Sequence, residues 1–263
     1  MKEAILDHLS DRHAAFLHGA GWEGSCHLLD KLALKGQERV LEIGFGTGGS
    51  LVLFRTHFPD LQLVGLERSG RMLERARRRL QFCGISGVEL GLLEEGSAFP
   101  FADQSFDVIY IESVLAILSQ EQLEKTLAEV WRLLKTGGRF AFNESIWQPG
   151  ADPTELRRIN DFCRREFGII QANDQLPDVE AWKSLLTDAG WGIEYCAAVE
   201  KYQASLPKHR QHHLSRLFTL WGRLTALWNR KHRQDARQLS QLLGSIWKTT
   251  EARLQSYILI ASK

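Results

Sequence analysis

The sequence predicts an open α/β fold, a doubly wound sheet with helices on both faces, and three observations carry that expectation. The stretch 39–50, RVLEIGFGTGGS, is a short apolar run with an acid at Glu42 that breaks into glycines at positions 44, 46, 48 and 49. That is the pattern of a buried strand turning through glycine into the start of a helix. Residues 106–112, FDVIYIE, are nearly all apolar up to Glu112, as a strand covered on both faces should be. Its acid falls at the C-terminal end, where ligands bind in open α/β sheets. Strand-type and helix-type patterns alternate along most of the remaining chain.

Glycine permits a tight turn and close backbone approach to a ligand, and the helix beginning near Gly48 directs free N–H groups and its positive dipole end at the gap. The stretch therefore reads as a nucleotide-type binding corner. Gly44, Gly46 and Gly49 also satisfy the G-x-G-x-x-G dinucleotide fingerprint, with Glu67 placed for a ribose contact. On spacing alone both kinds of nucleotide ligand remain open.

With 263 residues and 44% hydrophobic content, the chain is long enough to bury a substantial core. No run approaches the ~20 apolar residues of a membrane span. The N-terminus, MKEAILDHLSDRHAAF, is too charged for a signal peptide, so a soluble cytoplasmic protein is expected. Cys26, Cys83, Cys163 and Cys196 are dispersed without zinc-type spacing, so neither a disulfide framework nor a metal is expected. Net charge is +1 but uneven: residues 201–255 hold 11 basic against 2 acidic side chains, +9, which leaves −8 elsewhere.

Taken in order, residues 3–18 and 25–35 have helical apolar spacing, with Ser25 a candidate N-cap. Together residues 1–35 read as a helical lid. Its link, HGAGW at 18–22, offers His18 and Trp22 either to close over a ligand or, for Trp22, to pack in the core. A helix follows the glycine corner to about His57, and Pro59 and Asp60 mark a turn. LQLVGLE, 61–67, is a second strand ending in an acid, and a carboxylate there can accept from both ribose hydroxyls. Ser69 caps the helix RMLERARRRL, which stops by Gly84, and 88–92 is the third strand. After the fourth strand, 106–112, Ser119 and Gln122 form a capping box for a helix to Lys135, and RFAFNES, 139–145, is the fifth strand. Asp152, Pro153 and Glu155 open another helix, carrying Ile159, Phe162 and Phe167 on one face; Asp178 to Ala189 is a further helix. The last strands are 191–200 and 256–262. Between them the basic segment reads as a pair of amphipathic helices, with Leu214, Leu217, Trp221, Leu224 and Trp228 on the first and Leu239, Leu242, Leu243 and Ile246 on the second.

The acid two residues before the first glycine completes E-x-G-x-G-x-G from Glu42 to Gly48. Further on, LLEEGSAFPFADQSFD precedes the fourth strand and L-K-x-G-G-R the fifth. This set resembles the motifs of the class I S-adenosylmethionine (SAM) dependent methyltransferases, of the small-molecule type. The resemblance implies one domain over 1–263 with a seven-stranded, mostly parallel sheet of order 3-2-1-4-5-7-6, the last strand antiparallel, and a helical insertion at 205–253. It implies SAM as cofactor and S-adenosylhomocysteine as product, held by Glu42, Gly44, Gly46, Thr47, Gly48, Glu67, Arg68, Met72, Glu95, Gly96 and Glu112. In this reading Glu95 accepts from the adenine amino group, the Gly96 N–H donates to a ring nitrogen, and Arg68 stands where relatives place an aliphatic residue. Ile117 stands where relatives often have a histidine. Glu112, Glu144 and His18 are the candidate bases, Trp22, Asn143 and Trp147 the candidate acceptor contacts.

Two acceptor classes follow from the residues. Either the basic segment roofs a small-molecule pocket, its arginines pairing with the acidic core domain, or it docks RNA, protein or anionic lipid. The roof is favoured, and on that reading removal of 208–250 spares SAM binding. Calorimetry on the purified protein is expected to show binding of SAM and S-adenosylhomocysteine and none of NAD; binding of NAD alone would refute the assignment.

Overall fold

The computed structural model describes residues 13–16, 20–94, 96–199, 206–207, 209–228 and 253–263. His18, Glu95, the N-terminal residues 3–12 and the second amphipathic segment, with Leu239 to Ile246, lie outside the described residues. The elements in chain order are α1 (Gly21–Leu32), β1 (Arg39–Ile43), α2 (Gly49–His57), β2 (Gln62–Glu67), α3 (Gly70–Phe82), β3 (Val88–Leu92) and β4 (Phe106–Glu112). They continue with α4 (Gln120–Leu133), β5 (Leu134–Trp147), α5 (Pro153–Phe167), α6 (Val179–Asp188), β6 (Gly192–Ala198), α7 (Arg210–Trp228) and β7 (Leu254–Ser262).

The strands form one seven-stranded sheet in the order β3-β2-β1-β4-β5-β7-β6, with β7 antiparallel to both neighbours, as expected. Alternate residues serve opposite faces. On β4, Ile109 and Ile111 join the cluster made with α4, α5 and α6, whereas Val108 and Tyr110 join the cluster made with α1, α2 and α3. Both clusters contain wholly buried side chains, and each large aliphatic or aromatic residue so placed contributes roughly 1.5–3 kcal/mol through removal from water. The caps read from the sequence are present: Ser69 accepts from Met72 N–H, Ser119 and Gln122 complete a capping box, and Asp152 caps α5; Asp178, read from the sequence only as a helix start, caps α6. Among the described residues no helix is long and apolar enough to cross a membrane.

Three local readings are corrected. Ser25 is not an N-cap: α1 begins four residues earlier, behind Ala20, and Ser25 is a wholly buried residue inside it. Its hydroxyl donates to Glu112 of β4 at 2.7 Å and lies 3.3 Å from the Gly21 carbonyl one turn earlier in the same helix. Strand β5 starts at Leu134 rather than 139, because Leu134 leaves α4 in extended conformation and pairs with Phe106 before the Gly137–Gly138 excursion restores register at Arg139. Trp147 is not at an acceptor pocket; it is wholly buried and its Nε1 donates to the Ala172 carbonyl at 3.3 Å.

Glu144 is also a structural residue. Buried on β5, it accepts from the backbone N–H groups of Val114 and Leu115, both at 2.8 Å, and of Ala116 at 3.3 Å. It thereby holds the short 3-10 turn Leu115–Ile117 that follows β4. Glu144→Ala is expected to lower the unfolding free energy by roughly 2–4 kcal/mol, since buried donors lose a charged acceptor. Urea denaturation measures it, and an unchanged midpoint would contradict this role.

Candidate active site

A cavity of about 890 Å³ opens where β1, β2, β3 and β4 end. This is the topological switch point of the sheet, since the strand order reverses between β1 and β4. Its volume lies within the roughly 300–1,000 Å³ of ligand pockets. Glu42, Gly44, Gly46, Thr47, Glu67, Arg68, Met72, Gly96 and Glu112 all line it, drawn together from four separate stretches. Gly44 needs its left-handed backbone, φ +75°, and a Cβ there would overlap Val114 on the opposite wall. Gly48 is behind the wall: with φ +82°, it lets Ala76 of α3 pack onto the turn, a Cβ there meeting the Ala76 Cβ at 3.0 Å.

Three of the wall residues are buried carboxylates. Glu67 accepts from the N–H groups of Gly46 and Arg68 at 2.8 Å and Ser69 at 2.9 Å, which pins the glycine turn to the end of β2. Burial raises its pKa against the lowering effect of those amides. Glu42 accepts from the Ser50 hydroxyl through Oε1, and its Oε2 is a buried acceptor with no donor among the described residues. Burial, reinforced by the charges of Glu112 and Glu67 and opposed by the Ser50 hydrogen bond, pushes its pKa up to about 8. Glu112 accepts from Ser25 Oγ at 2.7 Å and from Asn143 Nδ2 at 3.1 Å. Asn143 therefore stands behind Glu112 and is not part of the lining. Next along the chain, Ser113 lines the cavity in the left-handed region, φ +53°, where a non-glycine side chain is strained.

The cofactor implied by the motifs carries a sulfonium and an ammonium, and the residues present fit it. Clustered carboxylates favour a cation, the orphan Glu42 Oε2 is an acceptor awaiting a donor, and the glycine turn leaves room for a ligand at the backbone. Phe16, Leu92, Val114, Ile117 and Leu118 make other parts of the wall apolar. Phe16, Ser113 and Val114 were not singled out by sequence. Trp22, half-buried on α1, reaches the cavity only through Phe16, whose ring lies edge-on at 6.0 Å; its other ring neighbour is His212 of α7 at 4.5 Å.

A second buried charge ties the surrounding segments to the glycine turn. Arg79 of α3 is wholly buried, and its guanidinium donates to the Thr47 carbonyl at 2.9 Å, the His13 carbonyl at 2.6 Å, and the Ser215 carbonyl and hydroxyl at 3.0 and 2.7 Å. The Phe218 ring lies 5.1 Å away. Burial lowers its pKa to about 10, so it stays charged at neutral pH. Residues 13–16 thus form a strap between α7 and the turn, fastened further by the Thr47 hydroxyl donating to the Ala14 carbonyl. In sequence Arg79 sits in the basic run RARRRL, but it also falls on the stripe Met72, Leu73, Ala76, Leu80 that marks the buried face. Helix α7 contributes no described residue to the cavity wall, so the described part of the basic segment does not roof the pocket as expected; it is held by this network, and among the described residues the ion pairs include none from Arg210, Arg216 or Arg223.

Fold and cavity define a doubly wound α/β domain with an acid-lined site for a cationic, nucleotide-bearing ligand. Residues 40–138 match the family model of a methyltransferase domain. The chain is 27% identical over 198 residues to the ubiquinone/menaquinone biosynthesis C-methyltransferase UbiE of Dinoroseobacter shibae, covering 70% of this chain and 77% of that protein. It is 29% identical over 178 residues to the demethylmenaquinone methyltransferase of Thermus thermophilus, covering 61% and 77%. The fold is similar to that of Haemonchus contortus phosphoethanolamine N-methyltransferase 2 in complex with SAM, with a TM-score of 0.65, 18% identity, and 94% of this chain and 54% of that one covered. The chain is an enzyme, a SAM-dependent methyltransferase, with a methyltransferase domain matched over residues 40–138.

Two outcomes follow from the buried charges. Because the folded-state pKa of Glu42 lies above its unfolded value, its neutral form is the one folding favours, and stability falls as pH rises from about 4.5 through about 8. Thermal unfolding of the cofactor-free protein across that range should show the decline, and Glu42→Gln should flatten it. Arg79→Met is expected to cost roughly 2–4 kcal/mol in urea unfolding and to weaken SAM binding through Thr47. By the same link, removing 208–250 is expected to weaken SAM binding rather than spare it, contrary to the expectation from sequence; calorimetry decides both.

Proposed function

We propose that this enzyme transfers the SAM methyl group to a small, largely apolar, ring-bearing acceptor, with Glu112 taking the proton that the acceptor loses. The supporting observation is the composition of one cavity: carboxylates at the strand ends, and an apolar stretch of wall made by Phe16, Val114, Ile117 and Leu118. Two of the similar proteins are named as a ubiquinone/menaquinone biosynthesis C-methyltransferase and a demethylmenaquinone methyltransferase, which supports an acceptor of that class.

SAM supplies a methyl group on a sulfonium, already attached to a good leaving group, and the displacement is in line. The protein's part is positioning and proton management. Glu42 offers its vacant Oε2 to the cationic end of the cofactor. Glu67, held by three backbone amides, presents the carboxylate suited to the ribose hydroxyls. Glu112 faces the acceptor, and Ser25 and Asn143 fix its orientation by hydrogen bonds to separate oxygens. The apolar wall excludes water, which would otherwise solvate both the carboxylate and the acceptor. With Ile117 in place of a histidine, no imidazole is available at that position.

With labelled SAM, a panel of prenylated quinols, phosphoethanolamine and bulk RNA separates the acceptor classes. Label is expected in the organic-extractable quinol, whereas label in phosphoethanolamine or RNA would overturn the proposal. Glu112→Gln should lower kcat by about 10²–10⁴-fold while SAM affinity changes far less; equal losses in both would make Glu112 a cofactor ligand instead.

A further inference from the structure

Helix α7 is amphipathic in two directions. One face, with His212, Ser215 and Phe218, is buried against α2, α3 and the strap. The other carries Leu217, Leu220, Trp221 and Leu224 at 52%, 51%, 55% and 60% exposure. These four are the majority of the six large exposed hydrophobic residues among the described ones, so the apolar surface is concentrated on a single stripe at i, i+3, i+4 and i+7 spacing. Arg216 and Arg223, both exposed, flank that stripe one heptad apart, with exposed Arg210 at the start of the helix. Residues 210–228 contain no aspartate or glutamate.

We propose that α7 docks the enzyme onto an anionic lipid bilayer, the four apolar side chains entering the boundary between headgroups and acyl chains and the arginines meeting lipid phosphates. The pairing of features selects this occupant. A nucleic acid would meet the arginines but leave two leucines, a further leucine and a tryptophan in water. A second copy packed through the same face would bring arginine stripes together with no acid on either helix to receive them. A bilayer surface satisfies both at once, and a Trp/Leu face bordered by arginine is the composition of interfacial helices. Docking would also place the cavity near the bilayer, because the strap beneath α7 contributes Ala15 and Phe16 to the cavity wall. The inference does not depend on the acceptor proposed above.

The test is flotation of the full chain with vesicles of phosphatidylcholine, with and without phosphatidylglycerol, at low and high salt. Binding is expected only with phosphatidylglycerol and should weaken with salt. Arg216→Gln with Arg223→Gln should reduce it on the order of 30-fold, at ~1 kcal/mol for each arginine. Trp221→Glu with Leu224→Glu should abolish it while leaving the unfolding midpoint and SAM affinity unchanged. The proposal fails if neither vesicle binds, or if the glutamate pair leaves binding intact. It also fails if the glutamate pair lowers the midpoint by several degrees, since the face would then be covered by the protein itself. Loss of a concentration-dependent dimer in that variant would likewise overturn it in favour of self-association.

Discussion

A carboxylate inside a protein must be met by donors, and the segments around this cavity are arranged by that requirement. Glu42 draws the Ser50 hydroxyl of α2 toward β1, Glu67 takes the amides of the glycine turn and of the entry to α3, and Glu112 joins α1 to β5 through Ser25 and Asn143. Glu144 does the same for the turn after β4. The glycine turn, the entry to α3 and the turn after β4, three of the segments that make the wall, are therefore fixed by four acids on four strands. Only the last is fully spent on structure, and the cavity acids keep capacity for a ligand. Glu42 is the extreme case, with an oxygen that has no donor among the described residues.

Arg79 answers the same problem from the other side of the glycine turn. It has no carboxylate among its hydrogen-bond partners and is satisfied by carbonyls and hydroxyls from three segments far apart in the chain. The strap, the glycine turn and α7 consequently share one buried cation. Any movement of α7 on the body of the domain is felt at Thr47, and Thr47 lines the cavity. The cavity wall and the attachment of α7 are linked by geometry even though, among the described residues, the helix itself does not line the cavity.

Much of this architecture was legible in the residues. The glycine corner, the acids ending the second and fourth strands, the helix caps and the sheet order all follow from local pattern or from motifs, because a period of 2 or 3.6 and a cap are properties of neighbouring residues. The misreadings share a cause. Ser25 looks like a cap and Trp147 like an exit residue when only near neighbours are considered; Glu144 looks like a base because an acid beside a strand end resembles a functional one.

What the sequence alone determined is the kind and order of the elements, the nature of the cofactor corner and the presence of acids at the ends of strands. What only the tertiary structure decided is which acids face the cavity and which are consumed by the fold. Ser25 meets Glu112 across 87 positions, and Arg79 meets Ser215 across 136. The free energy of a buried polar group depends on donors and acceptors brought to it by packing, so its role is assigned where the chain closes on itself and not along its length.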